Sequence, residues 1–419
     1  MHVPSVKDVP VLMNPQFVLT FGTPLGAPAK QGINLFKTAG RSLRGVDRRR
    51  LKTGVPSHVR QPFCRHLEER LLMDQVSARA VVRKKEDTHM RAIVYHTYGS
   101  PDVLKLEDVQ KPVPQDDEVL VKIHAASANP ADWHTMRGAP FLARLVNGLF
   151  KPKNPKLGVD VAGRVEAIGR NVTRFQVGDD VFGSMPLTEM GSFAEYVCAK
   201  EDALVLKPTK MTFEQAAAVP VAAFTALQGL RDKGQIRQGQ KVLINGASGG
   251  VGTFAVQIAK SFGTEVTGVC STRNVDMVRS IGADHVIDYT RADFTNNGQQ
   301  YDLIFDAVGN RSISDYKRAL SPTGICAIAG FTNLRLLFEH MILGPRRSKA
   351  GGKQVGLMKT AKANQKDLVF IKELLESGKV VPVIDKSYSL SETAEAIRYL
   401  ETGHAKGKVV ITLEQNNNT

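Results

Sequence analysis

The chain is predicted to be an α/β protein in which a strand-rich unit precedes a doubly wound parallel sheet. Three observations carry that prediction. Short apolar strands punctuated by Gly and Pro run from residue 90 to 198. From residue 212 onward, strand-like and helix-like segments alternate, the pattern of a parallel sheet with crossover helices. The stretch KVLINGASGGVG (241–252) sets three glycines at the junction of a strand and a helix.

Taken in order, strands are expected over 90–96, 104–109, 118–124, 161–168, 181–182 and 193–198, with Pro112 and Pro114 between the second and third. Helices are expected over 213–218 and 222–234. The alternating half then gives strands at 241–244, 265–269, 285–287, 303–306 and 325–329, with helices at 251–262 and 274–281. Residues 333–366, with Arg346, Arg347, Gly351 and Gly352, read as a mobile loop or a helical insert. An amphipathic helix follows at 367–376. The end reads strand, helix, strand at 381–388, 390–400 and 409–413, and is expected to return to the first sheet. The domains are therefore placed at 90–212, completed by 377–419, and at 213–376.

Composition excludes several function classes. The net charge is +15, but residues 1–89 hold 16 Lys or Arg against 7 Asp or Glu, which leaves the remainder only mildly basic. No nucleic-acid motif accompanies that charge, so no nucleic-acid partner is expected. There is no run of 18 apolar residues and hence no expected membrane span. Cys64, Cys198, Cys270 and Cys326 are scattered, without a CxxC pair. A reducing compartment, the cytoplasm, is the expected location. Residues 1–89 have no hydrophobic period and too many acids for a transit peptide. They read as an unstructured basic tail, or as sequence upstream of a natural start at Met90.

Gly246, Gly249 and Gly252 form a GxxGxxG variant of the dinucleotide-binding fingerprint. The chain must turn tightly there, approach a pyrophosphate closely and pack helix against strand. The helix start then offers unpaired N–H groups to the phosphates. Gly246, Ser248, Gly249, Gly250, Val251 and Gly252 are the candidate contacts. The next strand ends at Cys270 and is followed by Ser271, Thr272 and Arg273, with no acid beside them along the chain. An NAD site usually carries Asp or Glu at that strand end. A planar guanidinium with two hydroxyls suits a 2′-phosphate instead, so NADPH is the expected cofactor. The alternative is that Arg273 is a solvated surface charge.

The motifs ASANPADW (126–133), GVDVAG (158–163), VGD (177–179), GSFAEY (191–196), GADHVIDY (282–289) and GKVVI (407–411), with the glycine loop, fall in one order. In that order the chain resembles the medium-chain dehydrogenase/reductase superfamily. Within it, the chain is similar to zinc-free quinone-oxidoreductase-like enzymes, the group of the chloroplast envelope quinone oxidoreductase homologue and the reticulon-4-interacting protein. The resemblance covers most of 90–413. It implies a GroES-like catalytic domain, a Rossmann domain and an active site in the cleft between them. It also implies a small carbonyl or quinone substrate, and a homodimer as one possible assembly.

Zinc alcohol dehydrogenases of this superfamily hold their catalytic metal with Cys, His and Cys. The matching positions here are Asn129, Val159 and Val221. Valine has no donor atom, so no metal is expected. The implied reaction is reduction of an activated acceptor, an α,β-unsaturated aldehyde or ketone or a quinone, by NADPH. A non-catalytic NADPH-binding protein of the same fold is the alternative. Asn129 is a candidate donor to the substrate carbonyl or a ribose hydroxyl, or else a polar turn before Pro130. Asp132 is expected to anchor its loop through backbone N–H groups. His134 stands where zinc enzymes carry a relay histidine and close relatives a lysine. It is a candidate proton donor or cofactor contact, or else a solvent-facing helix residue. The resemblance further puts Thr225 and Val308 at the nicotinamide end, Tyr289 beside the phosphate and Lys408 at the border of the cleft.

Overall fold

The computed structural model describes residues 88–141, 144–332, 334–347 and 352–413. The readings of the amino-terminal segment fall outside these, apart from its last two residues. In β1 (His89–Val94), residues 89–94 pair antiparallel with residues 105–110, which form β2 (Lys105–Gln110). Next comes β3 (Glu118–Ala128), the pivot of a seven-stranded sheet. Val, Ile and Ala occupy successive positions along it, and nearly all are buried. One edge of β3 pairs with β4 (Asp160–Ile168), which β5 (Asp180–Ser184) extends. The other edge is taken along its first half by β6 (Tyr196–Lys200), and β7 (Leu204–Leu206) closes the far side against β5.

The second sheet holds β8 (Lys241–Asn245), β9 (Glu265–Cys270), β10 (His285–Asp288), β11 (Tyr301–Asp306), β12 (Leu320–Ile328) and β13 (Gln354–Leu357). All are parallel, in the spatial order β10-β9-β8-β11-β12-β13. Alternate residues serve opposite faces, as the pleat requires. Val242, Ile244, Leu303 and Phe305 join an apolar cluster with helices Pro220–Gln228, Gly250–Ser261 and Gln365–Glu376. Leu243 and Ile304 join a second cluster with Ile313 and Tyr316 of helix Ile313–Ala319. Both faces are therefore covered, and the strand order reverses between β8 and β11. In such sheets the ligand crevice lies at the carboxyl ends of the strands that flank the reversal.

Two elements differ from the sequence reading. Residues 333–366 contain helix Leu334–Arg347 and also β13, the sixth strand of the parallel sheet. That strand is four residues long, pairs on one edge only and fully buries only Val355, so it carries no alternation to read. The expected helix at 222–234 stops being regular at Gln228 and widens into a π turn, Gly229–Lys233. Gly229 lies on the Phe305 ring, where a Cβ would come within 2.2 Å.

The chain ends by returning to the first sheet. β14 (Ile384–Ser389) pairs parallel with β15 (Lys408–Thr412), and β15 pairs antiparallel with the second half of β3. Their register sets Val409 opposite Ala128, which brings Lys408 beside Asn129. Among the described residues, no helix is long and apolar enough to cross a membrane.

Candidate active site

The glycine loop follows from β8 and the switch point. Gly246 has φ +80, and a Cβ there would lie 2.7 Å from Val308 Cγ2. At Gly252 a Cβ would sit 2.0 Å from the Gly246 carbonyl oxygen, a contact no side chain survives. Gly249 caps helix Gly250–Ser261 without any side-chain cap, so protein side chains leave the first-turn N–H groups unclaimed. Gly250 and Val251 open that helix, and Gly250 lies against Gly407 and the Lys408 side chain. The Asn274 amide donates to Ser248 Oγ (3.0 Å) and Ser271 Oγ (3.2 Å), tying the loop to the end of β9. Asn274 was not among the sequence candidates.

At that end, Ser271 is half-buried while Thr272 and Arg273 are exposed. One premise of the cofactor reading needs correction here. No acid lies beside Cys270 along the chain, but parallel pairing of β10 with β9 sets Asp288 opposite Cys270. Thr272 Oγ1 donates to Asp288 Oδ2 at 2.5 Å, and Thr290 donates to Oδ1 through both N (3.0 Å) and Oγ1 (2.8 Å). The Thr272 hydroxyl bond holds the Asp288 carboxyl below the usual carboxylate range. Tyr289 follows on the rim, 55% exposed, with its backbone N–H donated to Cys270 O.

Around Val308 the organiser is Asp306, fully buried at the end of β11. Its Oδ1 accepts from the N–H groups of Val308 and Gly309, both at 2.7 Å. Its Oδ2 accepts from Tyr316 Oη (2.6 Å) and Asn245 Nδ2 (2.9 Å), which locks the two switch-point strands together. Thr225 is half-buried on helix Pro220–Gln228, and its hydroxyl donates to Val221 O (2.7 Å).

The other wall comes from helix Pro130–Arg137, entered at Asn129. Asp132 is buried and accepts from the backbone N–H of Asn129 (2.7 Å) and of Gly158 (3.0 Å), the anchoring role expected of it. Burial pushes its carboxyl up to about 7. The Asn129 amide does not project freely. Nδ2 donates to Asp160 Oδ2 (2.9 Å) and Ser127 O (3.1 Å), and Oδ1 accepts from Lys408 Nζ (2.6 Å). Asp160, fully buried, also accepts from Ser127 Oγ (2.7 Å) and Val221 N (3.0 Å), and lies 3.5 Å from Lys408 Nζ. Burial pulls the Lys408 ammonium below the ordinary lysine range, while Asp160 opposes that shift. Asp160 and Ser127 were missed because a lone Asp and a lone Ser in strands carry no spacing signal.

His134 is half-buried rather than solvent-facing. Its ring stacks on Trp133 at 3.6 Å between centroids and lies 5.9 Å from Phe331, which follows β12 of the parallel sheet. Its Nδ1 is buried without a partner. Burial holds the imidazole below its usual range, so the ring is neutral at neutral pH. Val159 is fully buried and Val221 half-buried. Among the described residues, no group of three or more His, Cys, Asp or Glu is arranged to hold a metal.

Comparisons with known proteins agree with this architecture. The alcohol dehydrogenase GroES-like domain family matches residues 115–209, and the zinc-binding dehydrogenase family matches residues 281–411. The chloroplastic quinone-oxidoreductase homolog of Spinacia oleracea is 35% identical over 341 residues, covering 77% of this chain and 98% of that protein. The chloroplastic NADPH-dependent alkenal/one oxidoreductase of Arabidopsis thaliana is 33% identical, covering 80% of this chain and 83% of that protein. The solved structure of the quinone oxidoreductase from Coxiella burnetii superposes with a TM-score of 0.67 at 33% identity, over 78% of this chain and all of that one.

Proposed function

This chain belongs to the quinone-oxidoreductase-like family of medium-chain dehydrogenases/reductases, and we propose that it is an NADPH-dependent reductase of enals, enones or quinones that works without zinc. The observation that carries this reading is the content of the metal position. Val159 and Val221 offer no donor atom, and the Asn129 amide is spent on Asp160 and Lys408. Tetrahedral zinc needs four N, S or O ligands. Without a Lewis acid, a saturated aldehyde is too weakly polarised, whereas a conjugated acceptor is already activated. The names of the two relatives, one for alkenals and enones and one for quinones, support the same substrate class.

The residues fit a dinucleotide. The uncapped helix start at Gly250 receives a pyrophosphate, and Ser271 and Arg273 stand where a 2′-phosphate would be held. Asp288 is compatible with this because its carboxylate is held by Thr272 and Thr290 and faces Arg291 Nε at 3.5 Å, which offsets its charge. NADPH, once bound, supplies the hydride. His134 then acts as a neutral donor. A ring N–H of this imidazole, on the ring that meets Phe331, donates to the acceptor's carbonyl oxygen and makes the conjugated carbon more electrophilic. Asn129, Asp160 and Lys408 hold that wall rigid and exclude water.

NADPH consumption with a short enal, a long enone and a benzoquinone tests the proposal, with a saturated aldehyde as the control. Turnover of the conjugated acceptors and not of the control is expected. Tight NADPH binding with no turnover of any acceptor would replace it with the non-catalytic binding protein.

A further inference from the structure

One segment of the strand-rich unit joins a run of cations to apolar side chains that stand in solvent. Between Asp132 and Asp160 the sequence holds Arg137, Arg144, Lys151, Lys153 and Lys156 and no Asp or Glu. In the same stretch Phe141 is 63% exposed, Leu145 64%, Leu149 41% and Phe150 88%. A single exposed Leu needs no explanation, but large apolar side chains gathered this closely mark an interaction surface.

The segment is held by its polar groups, which leaves the apolar ones outside. The Arg144 guanidinium turns back to donate to Gly138 O (3.1 Å) and Arg137 O (3.2 Å), and it lies over the rings of Tyr98 (4.5 Å) and Phe141 (5.4 Å). Helix Arg144–Asn147 ends at Gly148, whose N–H donates to Arg144 O (2.8 Å) and whose carbonyl accepts from Tyr98 Oη (2.7 Å). Gly148 has φ +116, and a Cβ there would lie 2.1 Å from Lys151 O, so the chain turns sharply and sets Leu149 and Phe150 at the bend. Lys153 N closes that turn on Asn147 O (2.8 Å). Arg137 is taken by Glu401. Lys151 and Lys153 are exposed and make no ion pair or side-chain hydrogen bond among the described residues.

Charge decides what covers this surface. Residues 1–89, with 16 basic and 7 acidic side chains, are repelled by it. A second copy meeting it about a two-fold axis would set the same lysines against each other. The occupant must be anionic and must accept single apolar side chains. An anionic bilayer does both, since its phosphates attract lysines and its headgroup boundary takes up Phe and Leu. At the foot of the segment, beside Lys153 and Lys156, Leu187 adds another exposed apolar side chain and Glu189 one acid, so the balance stays positive. We propose that this segment docks the protein on an anionic membrane surface, with Phe141, Leu145, Leu149 and Phe150 entering the headgroup region and Lys151 and Lys153 meeting the lipid phosphates. The docking does not rest on the reductase reading, because it needs neither NADPH nor an acceptor.

The test is vesicle flotation of the full chain, without cofactor or acceptor. Vesicles of phosphatidylcholine alone are compared with vesicles that also contain about one-third phosphatidylglycerol, at low salt and at about 0.15 M ionic strength. Phe150→Ser and the double variant Lys151→Glu, Lys153→Glu are measured beside the parent. These side chains are exposed, so the variants should melt with the parent, and lost binding in them is not misfolding. The basic amino-terminal segment is present in all three proteins, so any difference belongs to the docking segment. The parent should partition to the anionic vesicles and hardly to phosphatidylcholine. Phe150→Ser should weaken that partitioning about tenfold or more at both salts. The double lysine variant should weaken it about tenfold or more at low salt and flatten its salt dependence. No binding to anionic vesicles would overturn the proposal. Equal binding by parent and both variants would overturn it as well and assign the attraction to the amino-terminal charge. A concentration-dependent dimer of the parent that Phe150→Ser abolishes would overturn it in favour of a second copy.

Discussion

The glycine loop and the Asn129–Asp160–Lys408 cluster meet where Gly250 lies against Lys408, and they are built on opposite principles. The loop is seven consecutive residues whose constraint is backbone clearance, as the 2.0 Å approach at Gly252 shows. The cluster joins residues 31 and 279 positions apart, and its constraint is mutual satisfaction of buried polar groups. A site made by the backbone is written locally in the sequence. A site made by charge pairing exists only after β3, β4 and β15, far apart in the chain, have paired in one sheet.

That contrast can be broken most severely at Lys408. Replacing it with Met leaves Asp160 buried and unpaired, and should cost about 3–5 kcal/mol of stability by urea unfolding. Adding Asp160→Asn should recover much of that loss, because the uncompensated charge goes with it. A Lys408→Met protein as stable as its parent would show that the pair is not a coupled unit. The loop should respond through shape alone. Gly252→Val should cost about 1–3 kcal/mol and abolish NADPH binding. Gly249→Ala should stay within about 0.5 kcal/mol, since Gly249 has φ −83 and its nearest Cβ neighbour would be 3.5 Å away. Comparable losses at both glycines would mean that clearance is not what selects them.

Cofactor choice sharpens the comparison further. Arg273→Ala should weaken NADPH by roughly 1.5–3 kcal/mol, the scale of a charge-assisted hydrogen bond, and hardly change NADH. Equal weakening of both would assign Arg273 to the pyrophosphate rather than the 2′-phosphate. The smallest effect is the pH dependence of stability contributed by His134. Its folded pKa lies below the unfolded value of about 6.5, so the unfolded chain takes up a proton that the folded one resists. Stability is full above that pH and declines as pH falls through 6.5 toward the folded value. Unfolding midpoints of His134→Gln should be flatter across this window than those of the parent.

Most of the architecture was legible because it rests on local signals. Runs such as Val242, Leu243 and Ile244 announce a strand buried on both faces, and Gly246 and Gly252 announce the turn beside it. What escaped reading depends on contacts across the fold. Strand β13 is too short to show a period, and it forms because β12 offers an open edge. Asp288 stands 18 residues after Cys270 in the chain but opposite it in the sheet. Asn274 gathers two serines that the sequence could place only separately. Phe331 meets His134 from the other unit, and nothing near either residue hints at it. Asn129 was singled out for its donor, yet its amide is committed to Asp160 and Lys408. In the proposed mechanism that commitment leaves His134 to polarise the acceptor.

The central claim is that a charge-paired cluster stands in place of a catalytic metal. The most direct measurement is the rate of NADPH-dependent enone reduction before and after exhaustive treatment with a strong zinc chelator. The account predicts an unchanged rate, and no increase when zinc is added back. A rate that collapses on chelation and returns with stoichiometric zinc would contradict it.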